Sequence, residues 1–199
     1  MTDSLDPQLL DEAIAAVGAG LVVGMPTDTV YGIAADPLSP EAIRRLFVVK
    51  GRQTAKPIPI LAADLDGARR VGSFDADAVA AARLHWPGPL TLVVPRAEGL
   101  PDWVGSEALG TVGIRVPDHP VALALLSASG PLAVTSANRS GEPPAADAAA
   151  AEAALREAVA VYLPGAGAGG APSTVVDLSG PEPRVLREGA LDWTDPETG

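Results

Sequence analysis

Cysteine is absent from this chain of 199 residues. Its absence excludes disulfides, thiolate nucleophiles and Cys-ligated zinc. A chain without disulfides fits a cytoplasmic location. Histidine is scarce as well: His85 and His119 stand alone, without spaced partners, so both read as structural and no protein metal site is expected. No apolar run approaches ~18 residues, so nothing is expected to span a membrane. Met1-Thr2-Asp3-Ser4 is acidic and lacks a basic n-region, so no signal peptide is expected. Lysine is limited to Lys50 and Lys56; every other basic side chain is arginine. The formal net charge is -11, which argues against broad nucleic-acid binding and makes any local cluster of positive charge informative.

What is present reads as alternating helices and strands. Asp6-Pro7 opens a helix whose inner face is Leu9, Leu10, Ala13, Ile14 and Val17. Leu21–Met25 is a buried strand, followed by the loop Thr27–Tyr31 and a short extended piece through Ile33. Ser39 caps a helix with Pro40 at its first position. Ile58–Leu61 is a strand that Pro59 places at an edge or a bulge. Asp64 and Asp75 cap two helices, the second stopped by Trp86-Pro87-Gly88-Pro89. Thr91–Val94, Thr111–Val116, Leu132–Thr135, Val159–Leu163, Val175–Leu178 and Arg184–Leu186 are strands. Asp118 caps a helix ending near Gly130, and an Ala-rich helix is expected over Ala145–Ala158. Gly165–Gly170 reads as a flexible connector or lid. This order predicts an α/β sandwich around one mixed sheet, in one domain over residues 1–193 with a frayed tail at 194–199.

The basic residues are concentrated. Arg44, Arg45, Lys50, Arg52 and Lys56 lie in thirteen consecutive residues that contain no acid. In the helix from Pro40, the apolar positions Ile43, Leu46 and Phe47 put Lys50 next on the same stripe. Lys50 is therefore expected to point inward along the helix face, while Arg44 and Arg45 are solvated. A cation at a helix C-terminus would account for Lys50 alone. It does not account for Arg52 and Lys56 in the loop beyond, where an anionic ligand would. Thr27, Asp28 and Thr29 follow a buried strand directly, where ligands of α/β sheets collect and where Asx and ST turns are also routine. Arg115 interrupts an apolar strand and by alternation faces away from Ile114 and Val116. From the pattern alone it is a solvent-facing residue. Ser136 and Asn138 fit a turn or a helix cap as well as a ligand site. Trp86 reads as packing.

Pro26-Thr27-Asp28-Thr29-Val30-Tyr31-Gly32, Lys50-Gly51-Arg52, Trp86–Leu92, Gly113–Pro117, Ser136–Gly141, Ser173–Asp177 and Leu186–Ala190 together resemble, in order, the motifs of the YrdC-like threonylcarbamoyl-AMP synthase family. The resemblance implies a twisted mixed sheet with helices packed around it. It also implies nucleotidyl transfer: L-threonine, bicarbonate or CO2, and ATP would give L-threonylcarbamoyl-AMP and pyrophosphate, with Mg2+ carried on ATP. It assigns Lys50 and Arg52 to the reacting triphosphate. Lys56, Thr111, Ser136, Asn138, the backbone at Pro144 and Arg187 go with ATP. Thr29, Tyr31, Arg115, the Val134 backbone and Ser173 go with threonine. Asp28 stands where the family usually has Glu, Pro144 where it has Ser, and Leu61 where larger relatives have His. Asp177 is expected to be structural. The product would pass to a separate tRNA-modifying complex. Direct RNA binding is expected to be weak, the alternative reading being a double-stranded-RNA-binding module.

Overall fold

The computed structural model describes residues 5–51 and 57–194. Arg52 and Lys56 lie outside the described residues, as do positions 1–4 and 195–199. The helices are α1 (Pro7–Gly18), α2 (Pro40–Lys50), α3 (Leu65–Arg69), α4 (Ala76–His85), α5 (Pro120–Ser129) and α6 (Ala148–Leu155). The strands are β1 (Val23–Met25), β2 (Gly32–Ala35), β3 (Ile60–Leu61), β4 (Leu90–Pro95), β5 (Thr111–Arg115), β6 (Leu132–Ser136), β7 (Val161–Tyr162), β8 (Thr174–Asp177) and β9 (Arg184–Arg187). They form one sheet in the order β7-β1-β2-β6-β3-β5-β4-β8-β9. The sheet is mixed: β1–β7, β3–β5 and β4–β8 are parallel, and the other neighbours are antiparallel.

Local chemistry sets the helix starts. Asp6, Ser39, Asp64, Asp75 and Asp147 each accept a hydrogen bond from a first-turn amide, which satisfies donors that have no intrahelical partner. α5 differs from expectation. Its cap is His119, not Asp118, and the His119 Nδ1 accepts from the Val121 amide at 3.3 Å. α2 ends at Gly51, whose φ of 61° is the left-handed conformation that glycine enters without a Cβ clash. The Ala-rich segment is helical only over Ala148–Leu155, because Asp147 caps it and Arg156–Ala158 tightens into a 3-10 turn.

β3 corrects the sequence reading. It is not an edge strand but lies between β6 and β5 near the middle of the sheet. Only Ile60 and Leu61 are in the ladder. Pro59 precedes it and needs no donor, and its carbonyl accepts from the Val134 amide at 3.0 Å.

The two faces of the sheet are covered unequally. Ile33, Ile60, Ile114, Leu92 and Val176 face one side, packed under residues of α2, α3, α4 and α6 such as Leu46, Ala68, Ala81 and Leu155. Burial of a leucine such as Leu46 stabilises by about 1.5–3 kcal/mol. On the other side Met25, Ala34, Val134, Leu132 and Leu61 pack under α1 and α5. That cluster reaches only as far as β3. Beyond it, the same face of β5, β4 and β8 carries Gly113, Arg115, Thr91 and Val93, with Pro59 near Gly113. The sheet thus has a polar half-face next to an apolar one. Among the described residues, no helix is long and apolar enough to cross a membrane.

Burial lowers the pKa of His119 from its usual value, although the charges of Asp28 and Asp118 pull the other way, and burial also lowers that of His85. Below about pH 6.5 the unfolded chain therefore takes up protons that the folded chain resists, and stability falls as pH drops through the folded-state values. The melting temperature is expected to decline from pH 7.5 to 5.5. His119→Asn, which caps without titrating, should make that decline shallower in a thermal melt series. An unchanged slope would show that His119 does not contribute.

Candidate functional site

Arg115 is at the end of β5, on the polar half-face, and is only 5% exposed. Three chain segments satisfy it. Its Nε donates to the Gly88 carbonyl at 2.9 Å, one terminal nitrogen donates to Thr29 Oγ1 at 2.9 Å, and the other pairs with Asp28 Oδ1. Thr29 and Asp28 arrive from the loop after β1, and Gly88 from the turn that stops α4. Arg115 is therefore roofed, not solvent-facing. Burial lowers its pKa, Asp28 opposes this by charge and hydrogen bond, and the like charge of Arg187 adds to the lowering. Two cations share this part of the face.

Arg187 closes the adjoining group. Its guanidinium donates to the Ser173 carbonyl at 2.8 and 3.1 Å and to Ser173 Oγ at 3.0 Å. Ser173 Oγ is 2.8 Å from Thr91 Oγ1. Thr91 and Ser173 come from neighbouring parallel strands, β4 and the approach to β8, whose register brings Leu90 opposite Thr174. Thr91 was not singled out from the sequence. The available signal was a hydroxyl between Leu90 and Leu92 in an otherwise apolar strand.

Lys50 forms the third group, at the C-terminal end of β6. It is 5% exposed. α2 buries Ala42, Leu46 and Val49 along with Lys50, whereas Ile43 and Phe47 of the expected stripe are half-buried. The Lys50 Nζ donates to the Ser136 carbonyl at 2.8 Å, Ser136 Oγ at 3.2 Å and Asn138 Oδ1 at 2.7 Å. Asn138 Nδ2 in turn donates to the carbonyls of Arg139 and Glu142 at 2.9 and 2.6 Å. Lys50 thus both holds the turn after β6 and places a cation beside it. Arg44 and Arg45 are exposed and pair with Glu41.

Other predicted residues lie apart from these groups. Thr111 is at the opposite end of β5 from Arg115, roughly 13 Å along the strand; its carbonyl accepts from the Ser106 amide at 2.7 Å. Pro144 is exposed in the turn after β6. The Val134 amide is taken by the Pro59 carbonyl. Tyr31 is fully buried and donates its hydroxyl to the Leu163 carbonyl at 2.7 Å, so it presents no polar atom to the cleft. Leu61 packs in the apolar cluster under α5. Asp177 accepts from Ser179 and pairs with Arg184, a structural use.

The glycine loop packs against the Thr27–Tyr31 segment. The Gly169 amide donates to the Thr29 carbonyl at 3.2 Å, and a Cβ on Gly167 would come within 2.6 Å of the Val30 backbone. The loop backs the Thr27–Tyr31 segment from behind. A groove of about 900 Å3 bounded by Pro40, Phe47, Ile58 and Trp103 lies on the other side of the sheet, packed against α2. Its lining is mostly apolar and holds none of the three polar groups.

The family model named Sua5/YciO/YrdC, described as telomere recombination, matches residues 15–189. A Mycobacterium tuberculosis protein provisionally named threonylcarbamoyl-AMP synthase is 45% identical over 197 residues, which is 95% of this chain and 89% of that one. The threonylcarbamoyl-AMP synthase of Xanthomonas axonopodis pv. citri is 41% identical over 161 residues, covering 78% of this chain and 83% of its own. Among solved structures, Pyrococcus abyssi Sua5 complexed with L-threonine superposes with a TM-score of 0.85 at 34% identity, over 92% of this chain and 54% of that longer one. E. coli YciO superposes with a TM-score of 0.82 at 26% identity, over 94% and 92%.

The hydrogen bonds of Lys50 yield a stability expectation separate from any ligand. Lys50→Met removes the charged donor and leaves buried acceptors on Ser136 and Asn138, a loss of about 2–4 kcal/mol. Urea unfolding of the purified variant measures it. A change below about 0.5 kcal/mol would show that the turn after β6 holds itself.

Proposed function

The chain belongs to the Sua5/YciO/YrdC family, and from that premise we propose that it is an L-threonylcarbamoyl-AMP synthase. The observation that carries the reading is the buried Arg115, fixed beside Thr29 and close to a second cation, Arg187. A buried guanidinium with N–H groups left over is a receptor for a small carboxylate. Ser173, bonded to Arg187, places a hydroxyl next to it.

The reaction follows from the substrates. The amine of threonine, freed of its proton, attacks the carbon of CO2, or of bicarbonate with loss of water, and forms a carbamate. A carbamate oxygen then attacks the α-phosphorus of ATP. The bond to the β-phosphate oxygen breaks, and pyrophosphate leaves with its electron pair. The protein needs no nucleophile of its own for this; alignment and neutralisation of charge lower the barrier. Arg115 would hold the threonine carboxylate, with Thr29 and Ser173 beside it. Lys50, Ser136, Asn138 and Arg187 border the ATP side, with Arg52 and Lys56 as triphosphate contacts, and the backbone of Pro144 and Thr111 as further contacts. Mg2+ would arrive on the triphosphate, with phosphate oxygens and water as ligands. The product is labile and would pass, in the cytoplasm, to a separate complex that transfers the threonylcarbamoyl group to tRNA. Direct RNA binding by this acidic chain would be weak and lost near physiological salt.

Pyrophosphate release is expected to require both L-threonine and bicarbonate; equal turnover with serine, or without an amino acid, would overturn the assignment. Arg115→Ala should weaken threonine binding by about 2–5 kcal/mol while ATP binding changes much less, as read by calorimetry. Unchanged threonine affinity would remove Arg115 from the site. Arg52 tests the triphosphate assignment. Arg52→Ala should fold with a stability change below about 0.5 kcal/mol yet lose on the order of a hundredfold in product formation. Arg52→Lys should recover only part, because a point charge does not reproduce a planar fork. A stable Arg52→Ala protein with full turnover would show that Arg52 does not hold the triphosphate.

A further inference from the structure

The loop after β1 has a defined hydrogen-bond direction. The Thr27 hydroxyl has one proton, and it goes to the Val30 carbonyl at 2.7 Å. Its oxygen already accepts from the Thr29 and Val30 amides, both at 3.2 Å, so the 3.1 Å contact with the Thr29 hydroxyl does not commit the Thr29 proton. Thr29 Oγ1 also accepts from Arg115. What it can still offer a ligand is one acceptor lone pair and its own proton. Asp28, its neighbour, accepts from Arg115 through Oδ1, while Oδ2 is buried with no hydrogen-bond partner among the described residues. An orphaned buried acceptor is costly to keep. Arg115 has engaged three of its five N–H groups, one each with Gly88, Thr29 and Asp28, which leaves one on each terminal nitrogen.

Unfilled acceptors on Asp28 and Thr29, one of them a carboxylate oxygen, thus lie beside a guanidinium with two unfilled donors. That is the complement of a zwitterion: an ammonium next to a carboxylate. We propose that Asp28 is the ammonium-holding residue of the amino-acid site. In the free chain it neutralises Arg115. With an α-amino acid bound, Asp28 Oδ2 and Thr29 Oγ1 receive the ammonium, and Arg115 receives the carboxylate. Once the amine has been carboxylated, the same oxygens accept the single N–H of the carbamate and keep its oxygens turned toward the phosphate side. Asp28 makes the site select an α-amino acid over an α-hydroxy acid of the same shape. His119, whose charge state couples to Asp28, has its Nδ1 occupied by the Val121 amide and does not compete as an acceptor. This inference rests on the synthase reading above.

The test is calorimetric titration of the whole chain with L-threonine and with (2S,3R)-2,3-dihydroxybutanoate, in which a hydroxyl replaces the amine. The wild type is expected to bind threonine at least about tenfold more tightly, the ratio that loss of one charge-assisted hydrogen bond gives. Asp28→Asn should lose at least about tenfold in threonine affinity and change the hydroxy acid less than about threefold. Asp28→Glu, which keeps the charge, should bind threonine better than Asp28→Asn. Equal wild-type affinity for both ligands overturns the proposal. So does an Asp28→Asn variant that loses both ligands to the same extent, because Asp28 would then only support Arg115. An Asp28→Glu variant no better than Asp28→Asn overturns it too; where Asp28→Asn does not fold, the wild-type preference for threonine over the hydroxy acid decides the matter. A wild type that binds neither ligand defeats the synthase reading and this proposal together, whereas failure at Asp28 alone leaves threonine binding intact.

Discussion

A guanidinium kept out of water must be satisfied from all sides, and in this fold that requirement organises the site. Arg115 takes a carbonyl from the turn at Gly88, a hydroxyl from Thr29 and a carboxylate from Asp28. Desolvation of an ion is expensive unless it is paired and hydrogen-bonded. The two loops therefore stay where Arg115 holds them. Removal of either loop would strand a charge, so the positions of the cleft's roof and floor are coupled through one side chain. The glycine segment after β7 supports this arrangement, because its close approach to Val30 leaves the loop no room to retreat.

The same cleft gathers positive charge in a protein whose formal net charge is -11. Burial and, less so, Arg187 lower the tendency of Arg115 to stay protonated, burial lowers that of Arg187, and Lys50 is held at the end of β6. Asp28 pairs with Arg115, whereas among the described residues Arg187 is held by a carbonyl and a hydroxyl. Dipoles hold a cation in place without cancelling its field. A site built this way remains attractive to a polyanion, while the acidic exterior repels nonspecific ones.

Much of this was legible in the sequence, for reasons specific to each residue. Lys50 was placed inward by helical period alone, and the caps at Asp6, Ser39, Asp64 and Asp75 followed from local hydrogen bonding. Arg115 could not be placed from its own strand. Alternation says which face a residue is on, but not whether a loop from eighty-seven positions away roofs that face. β3 was misread because Pro59 excludes itself from a ladder, whereas the strand is short enough to begin after it. His119 displaced Asp118 as a cap because the two are adjacent and both can accept, and only the backbone angle chooses between them. Thr91 and Gly88 lie in the Trp86–Leu92 stretch, but residue type does not tell which partner their oxygens meet. The family motifs located these stretches; the pairings within them are tertiary.

The brevity of β3 has a mechanical meaning. In the sheet order, β7, β1, β2 and β6 lie on one side of it, and β5, β4, β8 and β9 on the other. Two residues, Ile60 and Leu61, are the whole ladder between these halves, reinforced by the Pro59 carbonyl. Lys50, Ser136 and Asn138 belong to the first half, and Ser173 and Arg187 to the second. The Arg115 contact to Asp28 and Thr29 crosses from one to the other. The ladder between the halves is therefore a narrow seam, and the polar groups lie on both sides of it. A molecule that touches both groups of residues would add a link across that seam, beside the apolar core that already spans it.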